Sequence, residues 1–166
     1  IKNIDQDLDR KMYDLIINKL NDFKHYEVSN FAKKGYESKH NLVYWNNLEY
    51  YGFGLGAGGY ISNIRYTNTR NIKKYMDNIY ISDGNLLNEN DIISNEFILG
   101  LRKIDGINKI DFKTKYGIDI NDIKLVNKLI KEKKLIDDGK NIKIRNDLIY
   151  TSNSILIDFL DLNIYN

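Results

Sequence analysis

None of the 166 residues is a cysteine. That one absence removes disulfide frameworks, thiolate nucleophiles, thiolate zinc sites and cysteine-ligated iron–sulfur clusters from anything this chain builds alone. Stability must come from packing, and 42% apolar residues at this length suffice for a core in one domain or two small ones. Charged residues make up 29% with a net charge of +2, a surplus too small to mark a nucleic-acid or membrane partner. No apolar run nears the ~20 residues of a bilayer span, and no secretory signal pattern opens the chain. Proline is absent too, and Ile, Asn, Lys and Tyr are abundant. A/T-rich coding produces such a bias, so the asparagines read as drift before chemistry. The start at Ile1, not Met, carries the expectation that residues precede it.

Leu8, Met12, Leu15, Ile16, Leu20 and Phe23 recur at three- and four-residue steps, which predicts an amphipathic helix over Asp5 to Phe23. Asp5 and Asp7 suit the positive end of its dipole. Tyr26-Glu27-Val28 reads as a strand close behind. A helix followed by a strand is half of an α/β repeat and cannot bury its own face. Apolar edges are therefore expected to stay open, and the isolated chain to self-associate or rearrange over residues 1 to about 80. Ser29 to Trp45 has no period and reads as a long polar loop. A glycine-rich run, Gly52 to Tyr60, precedes a strand over Ile61 to Tyr66 and a short helix over Asn71 to Tyr80.

Ser82-Asp83-Gly84-Asn85 reads as a linker between units 1–83 and 88–166. Beyond it, helices are predicted over Glu89 to Leu101, over Lys109 to Tyr116 with Gly117 as its C′ glycine, and over Asn121 to Lys133. Leu135-Ile136 and Ile142 to Ile144 form a hairpin around Gly139, and a last helix covers Thr151 to Leu160. Three helices and a hairpin make a winged-helix pattern, and the whole reads as α+β.

A winged helix invites a DNA-binding reading, in which the N-terminal turns of the third helix meet base edges. Here Asp119 and Asp122 stand there, with the wrong charge for phosphates. Lys128, Lys131, Lys133 and Lys134 gather at the other end, where the helix dipole alone favours them. A packing module that does not bind nucleic acid fits this placement better. Gly54-x-Gly56-x-x-Gly59 matches the dinucleotide fingerprint, but a strand and not a helix follows it, so the required context fails. The glycines still imply close approach to the backbone, by a ligand or by a neighbouring strand. In His40-Asn41-Leu42-Val43-Tyr44-Trp45, an imidazole in an accessible loop precedes aromatic rings. Such a set can ligate haem iron and pack on porphyrin, with Lys33, Lys34 and Lys39 as charge partners for propionates. The other reading is a surface histidine beside an aromatic anchor. His25 has no such company and receives no role.

Tyr26-Glu27-Val28-Ser29-Asn30-Phe31-Ala32-Lys33, the hexapeptide His40 to Trp45 and Gly52-Phe53-Gly54-Leu55-Gly56-Ala57 together resemble the oxygen-independent coproporphyrinogen III oxidase-like radical SAM family. The hexapeptide resembles its HemW-type haem-chaperone branch. Glu96-Phe97-Ile98-Leu99-Gly100-Leu101-Arg102 resembles the start of that family's C-terminal helical domain, so the likeness covers nearly the whole chain.

The resemblance implies a C-terminal portion of a cytoplasmic protein: the last helix and strands of a partial (β/α) barrel, then a small winged-helix-like domain. It implies haem binding and delivery to a haem-accepting protein, with His40 as iron ligand and Asn41, Tyr44 and Trp45 around the haem. Gly56, Ala57 and Gly58 would wall an S-adenosylmethionine pocket in the longer protein. Its [4Fe–4S] cluster would be held by a CxxxCxxC motif absent here, so the chain alone should not cleave S-adenosylmethionine. Gly58-Gly59 stands where the family usually has His-Ser, which removes any side-chain contact there, and Lys34 stands where proline is common. The alternative function is that of a true coproporphyrinogen III dehydrogenase; a nucleic-acid-binding winged helix comes third.

Overall fold

A computed structural model describes residues 5–164. Helix α1 (Gln6–Lys19) starts where the Asp5 side chain accepts the backbone N–H of Asp7 at 3.2 Å. Its apolar stripe does not turn inward: Leu8, Met12, Leu15 and Ile16 stay about half exposed. The helix is held by its other side. Tyr13 donates to the Val28 carbonyl at 3.0 Å and packs on Tyr150, whose hydroxyl donates to Asp9 at 2.7 Å.

Strand β1 (Lys24–Glu27) pairs antiparallel with β2 (Asn30–Ala32). On its far side it meets the segment after residue 101: Val28 N–H donates to Arg102 at 3.0 Å, and Ile104 N–H to Tyr26 at 3.2 Å. The loop expected over Ser29 to Trp45 is thus largely ordered, since β2 and helix α2 (Lys39–Trp45) lie inside it. A three-residue strand and a seven-residue helix are too short to write a period into the sequence. The Ser38 cap, accepting Asn41 N–H at 3.3 Å, is the local mark of α2.

Strands β3 (Gly58–Ile61), β4 (Ile64–Asn68) and β5 (Ile81–Leu86) form an antiparallel sheet in that order. The single strand expected over Ile61 to Tyr66 is instead a tight hairpin. Ser62 and Asn63 both take positive φ, 48° and 63°, the turn geometry that matches the twist of paired strands. Helix α3 (Ile72–Met76) is shorter than the expected Asn71 to Tyr80 and ends before Asn78, which turns left-handed at φ 63°. Ser82-Asp83-Gly84-Asn85 is not a linker but the body of β5. Every β5 residue is exposed, so no buried face imposes an apolar alternation that the sequence could display.

Helix α4 (Glu89–Gly100) opens with a reciprocal Asn88–Asp91 capping box, and α5 (Lys109–Tyr116) ends at Gly117, left-handed at φ 70° as expected. A 3₁₀ turn, Ile120–Asp122, separates the start of the expected third helix from α6 (Lys124–Lys131). The hairpin of β7 (Leu135–Asp137) and β8 (Asn141–Ile144) gains a third strand, β6 (Ile107–Asn108), on the free edge of β8. The closing helix is broken: α7 (Asn153–Leu156) lies between 3₁₀ turns Asn146–Thr151 and Ile157–Phe159.

Mixed helices and sheets agree with the α+β expectation, but every strand pair among the described residues is antiparallel, so no βαβ crossover lies within them. The core sits in the second half, where Phe97, Phe112, Phe159, Leu129 and Ile142 are fully buried and Phe97 stacks on Phe159 at 4.6 Å. Among the described residues of the first half, Tyr26, Ala32 and Tyr60 are the buried apolar ones. Among the described residues no helix is long and apolar enough to cross a membrane.

Candidate functional site

Helix α2 carries the whole hexapeptide, so His40 stands on a first helical turn and not in a loop. The four-residue step puts His40 and Tyr44 on one face. The Tyr44 hydroxyl lies 3.0 Å from His40 Nε2, their rings meet edge-on at 4.7 Å, and Tyr44 meets Tyr50 edge-on at 4.5 Å. His40 is exposed and Tyr44 half-buried. Asn41 contributes its backbone N–H to the Ser38 cap. Trp45 turns away from this pair, toward the second half of the chain. The Arg102 guanidinium lies 5.6 Å from its ring centre, and its indole N–H is buried without a hydrogen-bond partner. The site therefore unites His40 with Tyr44 and separates both from Trp45.

Lys33, Lys34 and Lys39 are exposed, Lys39 beside His40 on the same first turn. His25 stacks on Phe31 at 4.3 Å and bonds the Val28 carbonyl at 3.2 Å.

The C-terminal end of α2 is buried in a polar network that sequence reading missed. Lys115 Nζ donates to the Asn46 and Asn47 carbonyls at 3.1 and 3.0 Å and to Glu96 at 2.7 Å. Tyr116 donates to the same Glu96 oxygen at 2.6 Å. Burial, then the Glu96 charge, pushes the Tyr116 phenol well above its ordinary value. Lys103 donates to Asn46 Oδ1 at 2.5 Å, and burial lowers its ammonium below the usual lysine range. Asn47 takes φ 47° and donates to the Ile92 carbonyl at 3.2 Å. One signal for this network was available: Glu96 is a charge on the apolar side of α4, beside Ile92, Ile93 and Phe97. A cleft of about 800 Å³ opens here, lined by Leu42, Asn46, Glu96, Lys103, Phe112 and Lys115. Leu42 and Asn46 lie on the side of α2 away from His40 and Tyr44.

The glycine-rich turn is packed by the chain itself. The buried Asn68 amide donates to the Gly52 and Gly54 carbonyls, both at 3.0 Å, and the Tyr66 and Tyr75 hydroxyls accept the Gly52 and Gly54 N–H groups at 3.0 and 3.2 Å. A Cβ on Gly52 would collide with the Gly58 carbonyl, and one on Gly59 with the Tyr66 ring. Close approach at these two glycines thus comes from neighbouring chain. Gly56 and Ala57 are half-buried and Gly58 is exposed with room beside it. Gly59 lies in β3, so no helix follows the fingerprint-like glycines. With no cysteine in the sequence, and no cluster of His, Cys, Asp or Glu able to hold a metal among the described residues, the chain offers nothing that fits an iron–sulfur cluster.

No family model matches the chain. The heme chaperone HemW of Bacillus subtilis is 42% identical over 119 residues, covering 68% of this chain and 31% of that protein. The heme chaperone HemW of Lactococcus lactis is 35% identical over 162 residues, covering 93% and 43%. A third, from Buchnera aphidicola, is 33% identical over 151 residues, covering 84% and 39%. The chain thus spans 31–43% of the length of these curated relatives. Among solved structures, the coproporphyrinogen III oxidase HemN of Escherichia coli, a radical SAM enzyme, matches 94% of this chain and 42% of its own with a TM-score of 0.67 at 14% identity, a likeness of fold. The chain is thus homologous to part of the heme chaperones HemW and shares its fold with part of the radical SAM coproporphyrinogen III oxidase.

Proposed function

We propose that this chain is the haem-handling portion of a HemW-like haem chaperone of the cytoplasm, with haem as cargo passed to a haem-accepting protein. The observation that carries the reading is the exposed His40 imidazole on a helix whose other end is anchored. A nitrogen held on a fixed element and open to solvent suits axial ligation of haem iron. Tyr44 offers an aromatic flank, while Asn41 and Trp45 stand on the same helix, Trp45 on the side toward Arg102. Lys33, Lys34 and Lys39 supply positive charge for propionates. Residues 1–83 act as the closing part of a partial barrel and 88–166 as a winged-helix-like unit that does not bind DNA. In the longer protein, Gly56, Ala57 and Gly58 form a backbone wall beside S-adenosylmethionine, and cluster ligands come from other residues. The open apolar face of α1 supports self-association of the isolated chain. The dehydrogenase alternative has weaker support, because the named HemW relatives are similar in sequence and the oxidase in fold alone.

The test is a haem titration followed by absorbance. Haem should give a shifted Soret band that His40→Ala abolishes. An unchanged band in His40→Ala removes His40 from the account, and anaerobic turnover of coproporphyrinogen by the reconstituted longer protein would favour the dehydrogenase.

A further inference from the structure

His40 and Tyr44 stand one turn apart on α2, with the phenol oxygen 3.0 Å from Nε2 and the rings at 88°. A neutral imidazole has one ring nitrogen free to accept, and that nitrogen either takes a hydrogen bond or binds iron. The phenol is fixed from behind. Tyr44 rests edge-on against Tyr50 at 4.5 Å, and Tyr50 is tied to β3 by reciprocal backbone hydrogen bonds with Tyr60 at 2.8 and 2.9 Å. His40 is exposed on the first turn of the helix. Tyr44 is therefore the fixed member of the pair and His40 the movable one.

We propose that Tyr44 is a built-in competitor for the haem iron. The inference rests on the reading of His40 as iron ligand. Without haem, the Tyr44 hydroxyl donates to Nε2 and holds the ring as the Nδ1–H tautomer. Iron can take Nε2 only by displacing that hydroxyl. When haem leaves, the iron–nitrogen bond gives way to the same hydrogen bond. The phenol proton stays on its oxygen throughout, and no electron moves. Tyr44 thus acts as a positioning residue that lowers haem affinity and speeds release, as a carrier that must surrender its cargo requires. If the tyrosine served only to pack, removing its hydroxyl would leave affinity unchanged. If the hydroxyl steadied His40 toward iron, removing it would weaken binding.

The test uses the full chain as wild type, Tyr44→Phe and His40→Ala. Phenylalanine keeps the ring and its edge contact with Tyr50, and circular dichroism checks the fold. Haem affinity is read from the Soret band, and release by capture with apomyoglobin. Tyr44→Phe should bind haem about two- to ten-fold tighter, the equivalent of one net hydrogen bond, and release it correspondingly slower. Equal or weaker affinity overturns the proposal. Imidazole nitrogen NMR without haem should show His40 moving from the Nδ1–H toward the Nε2–H tautomer in Tyr44→Phe, and an unmoved tautomer also overturns it. If His40→Ala abolishes the band while Tyr44→Phe changes nothing, the competitor falls and the ligand assignment stands. If His40→Ala leaves the band unaltered, the ligand assignment falls and takes the competitor with it.

Discussion

Replacing Lys115 by Met tests how far the His40 helix depends on the buried carboxylate beneath it. The Glu96 side chain is 8% exposed and accepts from Lys115 at 2.7 Å and from Tyr116 at 2.6 Å. The same ammonium caps the Asn46 and Asn47 carbonyls, which end α2 where its dipole is negative. Met preserves most of the apolar stem, so the loss is confined to a charge and its N–H donors. Stripping one partner from a fully buried ion pair costs about 3–5 kcal/mol, because the remaining charge is left uncompensated. Lys115 is 35% exposed, so water screens its side of the pair and the expected cost falls to about 2–3 kcal/mol. That is a change of about 30- to 160-fold in the folding equilibrium.

Urea unfolding at neutral pH should register the loss as a lower midpoint at unchanged slope. Adding Glu96→Gln removes the stranded charge, so the double variant should lose at least about 1 kcal/mol less than the sum of the singles. Haem affinity should fall in Lys115→Met as the end of α2 frays, although neither residue touches His40. A loss below about 0.5 kcal/mol, or strict additivity of the two substitutions, refutes the clamp.

Phe97→Ala should cost about 3–5 kcal/mol in calorimetric or urea unfolding, since Phe97 is fully buried against Phe159 at 4.6 Å and Phe112 at 5.4 Å; a loss under about 1 kcal/mol would mean that the core lies elsewhere. Gly52→Ala drives a Cβ into the Gly58 carbonyl, so β3 must shift; amide exchange at Gly58 to Ile61 should accelerate, and unaltered protection would show that the turn has slack. The Lys143 ammonium, aided by the Asn141 and Lys140 N–H groups, holds the Asp138 carboxyl down at about 2. A depressed acid contributes stability above its unfolded value near ~4 and loses it as pH falls through the folded one. Asp138→Asn should therefore flatten the stability–pH curve between about pH 4 and 2, and an unchanged slope there would dissociate Asp138 from acid unfolding.

The second half of the chain was more legible than the first for a physical reason. Residues 89–100 and 109–116 are helices that bury a face in a core, and their caps and the Gly117 stop are chemical punctuation readable in one dimension. In the first half the elements after α1 are short and half-solvated. The strand β5 buries nothing, so its polar residues resemble a linker, and the Ser62–Asn63 turn hides inside a run of strand-forming residues. The hexapeptide was visible as chemistry, but the His40–Tyr44 hydrogen bond exists only once residues 39–45 are helical. The turn of Trp45 toward Arg102, and the use of Glu96 beneath the helix, are facts of packing between segments more than fifty residues apart. No local pattern encodes them.

Helix α2 could not hold His40 in place unaided. A seven-residue helix is far below the ~12–15 residues at which an isolated helix becomes even marginal in water. Its order is supplied from outside: Lys115, held by Glu96, grips its C-terminal end, and Arg102 lies over Trp45. All three belong to the half of the chain that contains the core. The helix thus has a buried end that fixes direction and an open end that offers a ligand. On the proposed reading, that division lets a carrier site be built on so short an element. Exposing His40 costs little because no core depends on it, while its position is inherited from a core to which it does not belong. Damage to that core should accordingly appear as weakened haem binding before the ligand itself is touched.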